Sequence, residues 1–188
     1  MLGDISRFLL DIAFTLLGVA LIARAWMFAV RIHPFLPVTI ALNQFTNWLV
    51  MPLRRVLPLR GGRIDWACVL AVWLVALIYV LLSWMLATGS LIPWQLLPHA
   101  LVSSVLTAAR WTLNFVFWIT LGQALLSWLN PNTLSMSVLQ QMTAPMLNPL
   151  RRLLPTLGGI DISPMVLILL AHVLMMILTR ASYTLLGI

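Results

Sequence analysis

The sequence predicts an all-α, polytopic helical membrane protein, with four transmembrane helices in two parallel helical-hairpin repeats and interfacial amphipathic helices between the spans. Three observations carry that expectation. Of 188 residues, 62% are hydrophobic and 8% are charged, whereas an ordinary soluble domain has roughly 25% charged residues. Too few charges remain to cover a water-soluble surface, and a chain this apolar does not stay unfolded. Four apolar stretches are each long enough to cross a bilayer core, which takes about 20 residues. Finally, one stretch recurs, nearly in register, 97 residues further on.

The first span is expected over residues 8–30, with Asp11 near one end and Arg24 near the other. Its alternative is a cleaved signal peptide, but Asp11 interrupts the apolar run, so it reads as a retained helix. An interfacial helix follows over 37–51, where Val38, Ala41, Leu42, Phe45, Trp48 and Leu49 oppose Asn43, Gln44, Thr46 and Asn47. Next comes Pro52-Leu-Arg54-Arg55-Val-Leu-Pro58. Its two prolines should limit helix and present two guanidiniums from a semi-rigid base. Gly61 and Gly62 should turn the chain, and Asp65 should cap the second span at 66–87. Residues 1–88 form the first unit.

Residues 89–188 form the second. A turn with two prolines leads to a third span at 105–129, whose start falls between 99 and 111. The second interfacial helix is expected at 134–147, with Val138, Leu139, Met142 and Met146 against Gln140, Gln141 and Thr143, and Pro145 kinking or ending it. Pro149-Leu-Arg151-Arg152-Leu-Leu-Pro155, Gly158, Gly159 and Asp161 then precede the fourth span at 164–186. There Ser163-Pro164 offers an alternative N-cap and first helical residue.

The shift of 97 residues aligns twelve identities, among them Gln44/Gln141, Thr46/Thr143, Pro52/Pro149, Arg54/Arg151, Arg55/Arg152, Gly61/Gly158 and Gly62/Gly159. After one inserted residue, Arg63, Ile64-Asp65 matches Ile160-Asp161. Two spans per unit return the chain to the same side, so the units are expected to be parallel, related by an axis along the membrane normal.

Charge sets the expected orientation. Arg31, Arg54, Arg55, Arg60 and Arg63 lie between spans one and two, and Arg151 and Arg152 between spans three and four. The positive-inside rule puts both connections in the cytoplasm and both termini in the periplasm of a bacterial inner membrane, with Arg7, Arg110 and Arg180 as exceptions. The net charge of +7 sits mostly in two short connections, which suits anionic lipid headgroups better than nucleic acid. Arg54, Arg55, Arg151 and Arg152 are therefore the candidates for holding headgroup phosphates or an acidic protein partner. Self-association stays open.

Polar groups inside the spans face a bundle or a cavity. Asp11 is expected to pair with Arg7, one turn earlier and near the leaflet of Arg180. A lone His172 suits a hydrogen-bonded core position better than a haem or metal site. Trp26, Trp48, Trp66, Trp84, Trp94, Trp111 and Trp128 read as interfacial anchors. There is no phosphate loop, His-Glu-x-x-His, Gly-x-Ser-x-Gly or Cys-x-x-Cys, and the single Cys68 rules out an internal disulfide. No enzyme activity, cofactor or metal is expected.

The duplicated Pro-Leu-Arg-Arg-x-Leu-Pro…Gly-Gly-x-Asp pattern, Arg24-Ala-Trp26, Ser127-Trp128 and Ile160-Asp-Ile-Ser-Pro164 resemble the YggT family over nearly the whole chain. The resemblance implies a small inner-membrane protein without known catalysis. Bacterial relatives are linked to osmotic-stress tolerance and water homeostasis and, in some lineages, to cell division; plastid relatives are linked to cytochrome assembly and nucleoid distribution. Arg60, Arg63 and Trp66 depart from the cleaner second copy, so a specific ligand is expected there first. The functional expectation is a non-enzymatic scaffold or assembly factor. Its rival is a small pathway for water, ions or solutes, lined by Asn43, Gln44, Asn47, Gln140 and Gln141 with Asp11, Arg24 and His172.

Overall fold

The computed structural model describes residues 2–56, 62, 64–130, 133–153 and 161–186. Six helices follow in order: α1 (Leu2–Ala29), α2 (Pro37–Val56), α3 (Trp66–Thr88), α4 (Leu97–Leu129), α5 (Leu134–Leu153) and α6 (Ser163–Leu186). Four of them, α1, α3, α4 and α6, are long and apolar enough to cross a membrane. The expected four-span count holds.

The element ends have local causes. After α1, Arg31 takes a left-handed backbone (φ 60°), and the Ile32 amide reaches back to the Met27 carbonyl at 3.0 Å. That wrap satisfies an end carbonyl, and Ile32 is buried against the same helix end. Gly89 (φ 70°) closes α3 by donating to Met85. A 3-10 turn (Trp94–Leu96) precedes α4, which starts at Leu97 with Pro98 in its first turn. The third span thus begins ahead of its expected range, because proline is pre-set for a first turn and this segment buries Ala100, Ser103, Ser104 and Thr107. Trp111 consequently lies well inside α4, buried in the core, and is not the interfacial anchor expected of it.

The two connecting helices also run longer than expected. Pro52 lies within α2, and Pro145 and Pro149 lie within α5, so none of the three ends its helix. All three are exposed, so their rings meet no packed neighbour on the inner side. On the inner side, Val50 and Leu147 are fully buried and hold the helices in place. The arginine pairs therefore sit in the last turns of α2 and α5, where the negative end of the helix dipole favours them. The packed side of α2 differs as well. Thr46 and Val50 are buried, whereas Val38, Phe45 and Trp48 of the expected apolar stripe are more than half exposed.

Within the bundle α4 is central, packing against α1, α3, α5 and α6, while α1 also packs on α3. The main core joins Leu21, Ile22, Val50, Ala71, Val75, Trp111 and Phe115, and a smaller cluster joins Val116, Leu147 and Leu167. Gly18 permits the closest approach: a Cβ there would lie 2.2 Å from the Trp111 ring. The two halves of the chain are tied by Trp26, whose indole donates to the Met142 carbonyl at 2.9 Å.

Candidate functional site: two arginine–aspartate elbows

Each half of the chain makes the same contact where it turns back into the next span. Arg54, at the end of α2, is hydrogen-bonded and ion-paired to Asp65 just before α3. Arg151, at the end of α5, pairs with Asp161 at 2.7 Å. Asp65 caps α3 by accepting from the Cys68 amide at 3.4 Å and from the Cys68 thiol at 3.2 Å. Asp161 accepts from the Ser163 amide at 2.9 Å. Ser163 is thus the buried first residue of α6, and the capping oxygen belongs to Asp161.

Both carboxyls are held below the usual aspartate range. For Asp65, burial pushes the pKa up, but the hydrogen bonds from Arg54 and Cys68 outweigh it. For Asp161, burial again opposes, and the Ser163 and Arg151 hydrogen bonds prevail. Both aspartates are ionised acceptors at neutral pH.

The arginine pairs therefore divide. Arg54 and Arg151 are committed to their aspartates. Arg55 and Arg152 are exposed and make no hydrogen bond or ion pair with the described residues. Gly61, Gly158 and Gly159 lie outside the described residues. At Gly62 an added Cβ would meet nothing closer than the Ile64 amide nitrogen at 3.8 Å, so local crowding does not require glycine.

Behind the first elbow, Arg24 is only 8% exposed and donates to the Thr46 hydroxyl at 2.7 Å. Thr46 passes the bond to the Leu42 carbonyl at 2.7 Å. In the second half, Thr143 bonds in the same way to Leu139 at 2.8 Å and meets Gln123 where the first half has arginine. Arg24, Asn43, Arg54 and Asp65 line a cavity of about 210 Å³. Two guanidiniums there face one carboxylate, so the first copy holds a charged cavity. Such an arrangement offers anion recognition.

The other candidates lie elsewhere. At the opposite end of the bundle, Asp11 accepts from the Tyr79 hydroxyl at 3.0 Å and stands 4.0 Å from Arg110. The expected partner, Arg7, instead donates to the Leu86 carbonyl at 3.4 Å. Three helices supply the cluster, which local spacing does not reveal. His172 is exposed on α6, one residue past the buried Ala171, with its ring 6.4 Å from that of Phe117; it is not a core residue. Thr46 and Thr143, aligned by the repeat, were the available signal for the inner hydroxyls. Among the described residues, no group of three or more His, Cys, Asp or Glu is placed to hold a metal ion.

The family profile described as CCB3/YggT matches residues 4–92 and 102–182. Escherichia coli (strain K12) has a relative named "Uncharacterized protein YggT", 32% identical over 170 residues, covering 90% of this chain and 86% of that protein. "Uncharacterized protein in proC 3'region" of Vibrio alginolyticus is 30% identical over 161 residues, 85% of each chain. An uncharacterized protein of Haemophilus influenzae is 33% identical over 150 residues, 79% of this chain and 77% of its own. No solved structure matches.

Proposed function

The chain belongs to the CCB3/YggT family, and from that premise we propose that it is a non-enzymatic inner-membrane scaffold whose elbow face holds anionic lipid headgroups. The observation that carries this reading is the division of the arginine pairs. Arg54 and Arg151 brace the two elbows against Asp65 and Asp161, and Arg55 and Arg152 remain exposed beside them. A braced guanidinium fixes geometry, and an unbraced one can take a phosphate with its five donors. The duplicated design points both elbows toward the same membrane surface, the cytoplasmic one by the arginine count.

Lipid retained by the purified protein tests the reading. The Arg55→Gln/Arg152→Gln variant should hold phosphatidylglycerol about fivefold more weakly for each arginine removed, since each contributes about 1 kcal/mol near an anionic surface. Unchanged retention sinks the headgroup role, and loss of a specific acidic protein with unchanged lipid would move the site to a protein partner. Cysteine labelling near residue 55 and at the C-terminus checks the sidedness.

A flux pathway finds less support. Leu21, Ala71, Val75, Trp111 and Phe115 form one packed apolar cluster lying, by helix order, between the Arg24 cavity and the polar residues at the far end. Reconstituted vesicles that leak no faster than empty ones agree with a scaffold.

A further inference from the structure

At the end of the bundle remote from α2 and α5, α1, α3, α4 and α6 enclose a second cavity of about 380 Å³, within the size range of ligand pockets. Arg7 and Asp11 from α1, Tyr79 from α3, and Ser103 and Arg110 from α4 line it, and α6 contributes further hydroxyls. Two guanidiniums face one carboxylate, leaving one positive charge in excess. Asp11 is drawn to one wall by the Tyr79 hydroxyl at 3.0 Å and by Arg110 at 4.0 Å. Arg7 donates to the neutral Leu86 carbonyl at 3.4 Å.

Ser103 adds an independent sign. The residue is 1% exposed and lines the cavity, and its hydroxyl has no hydrogen-bond partner among the described residues. A helical serine ordinarily bonds back to its own helix when nothing else is offered, as Ser104 does to Leu101 at 2.7 Å. A buried hydroxyl without a partner in the wall of a cavity is a donor that a bound group could satisfy.

Depth narrows the ligand. Arg110 lies nineteen residues from Leu129 at the elbow end of α4, about 28 Å at 1.5 Å per residue. The hydrocarbon core is about 30 Å thick, so the cavity stands at headgroup level in the leaflet away from the elbows. We propose that this cavity binds a singly charged phosphodiester, with Arg7 and Arg110 on its oxygens and Ser103 bonded beside them. A phospholipid of that leaflet and a soluble phosphate compound share this chemistry.

The test uses the full chain, purified in a neutral maltoside detergent, with Arg55→Gln/Arg152→Gln in the background so that elbow-bound lipid is not counted. Thermal unfolding is followed by tryptophan fluorescence while phosphatidylglycerol, diacylglycerol or inorganic phosphate is added. Phosphatidylglycerol should raise the midpoint and diacylglycerol, which lacks the phosphate, should not. Adding Arg110→Gln should weaken the response about tenfold or more, as loss of a charge-assisted bond does. Arg180→Gln, on α6 outside the cavity lining, should leave it unchanged. Inorganic phosphate that reproduces the lipid's effect assigns the same site to a soluble phosphate; no effect from it assigns the site to lipid. Should Arg110→Gln not fold, Ser103→Ala replaces it, with an expected loss of several-fold. An equal response to diacylglycerol, an equal loss in Arg180→Gln, or full affinity in both cavity variants overturns the proposal.

Discussion

At Gly18 there is no room for a side chain: a Cβ would lie 2.2 Å from the ring of Trp111, itself 1% exposed and stacked edge-on against Tyr79. Gly18→Ala should therefore lower stability by about 1–3 kcal/mol, the usual range for overpacking, measured as an earlier midpoint in detergent-induced unfolding. A Trp111→Phe change in the same chain should recover part of the loss; additive losses would mean that the two positions do not meet. The capping aspartates predict a pH dependence. Their pKa values are lowered by folding, so their contribution is complete above the ordinary aspartate value and fades as pH falls through the lower folded value. Unfolding midpoints should stay level from neutrality to about pH 4 and drop below it. In Asp65→Asn/Asp161→Asn the acid drop should shrink; a main drop near about pH 6, in the histidine range, would contradict this assignment. Asp65 and Asp161 could be recognised as caps because a cap is a local position. Their partners could not be, since Arg54 and Asp65 stand eleven positions apart in the sequence and meet only in the folded chain.

Helix existence followed from apolar length, and helix ends did not. Proline limits or kinks a helix when nothing outside the segment keeps it helical. In α5 the buried Leu147 is anchored between Val116 of α4 and Leu167 of α6, and this contact outweighs the missing backbone bond at the exposed Pro145. Two substitutions separate these terms. Leu147→Ala should cost about 2–5 kcal/mol and make the second elbow the first point of proteolysis. Pro145→Ala should raise stability, by up to about 3 kcal/mol, by restoring a helix bond; a decrease would show that a bend at Pro145 is what seats Leu147. The start of α4 followed the same logic. Ala100, Ser103, Ser104 and Thr107 are small residues packed against neighbours, a role that hydropathy does not register.

On the scale of the molecule, four spans were legible in composition alone, whereas their arrangement around α4 was not, because any of four apolar helices could have been the central one. Its length then has a consequence. With 33 residues, α4 measures about 50 Å, and fitting it wholly inside about 30 Å of hydrocarbon would need a tilt beyond the usual upper range of about 40°. Its Leu97 end must stand clear, carrying the exposed Leu91, Trp94 and Leu101 beyond the hydrocarbon. The protein is thereby a gauge of bilayer thickness. Across a series of phosphatidylcholines from short to long acyl chains, its melting midpoint should climb until the membrane is deep enough to cover that projecting apolar collar. A flat series would mean that the collar is covered by something other than lipid.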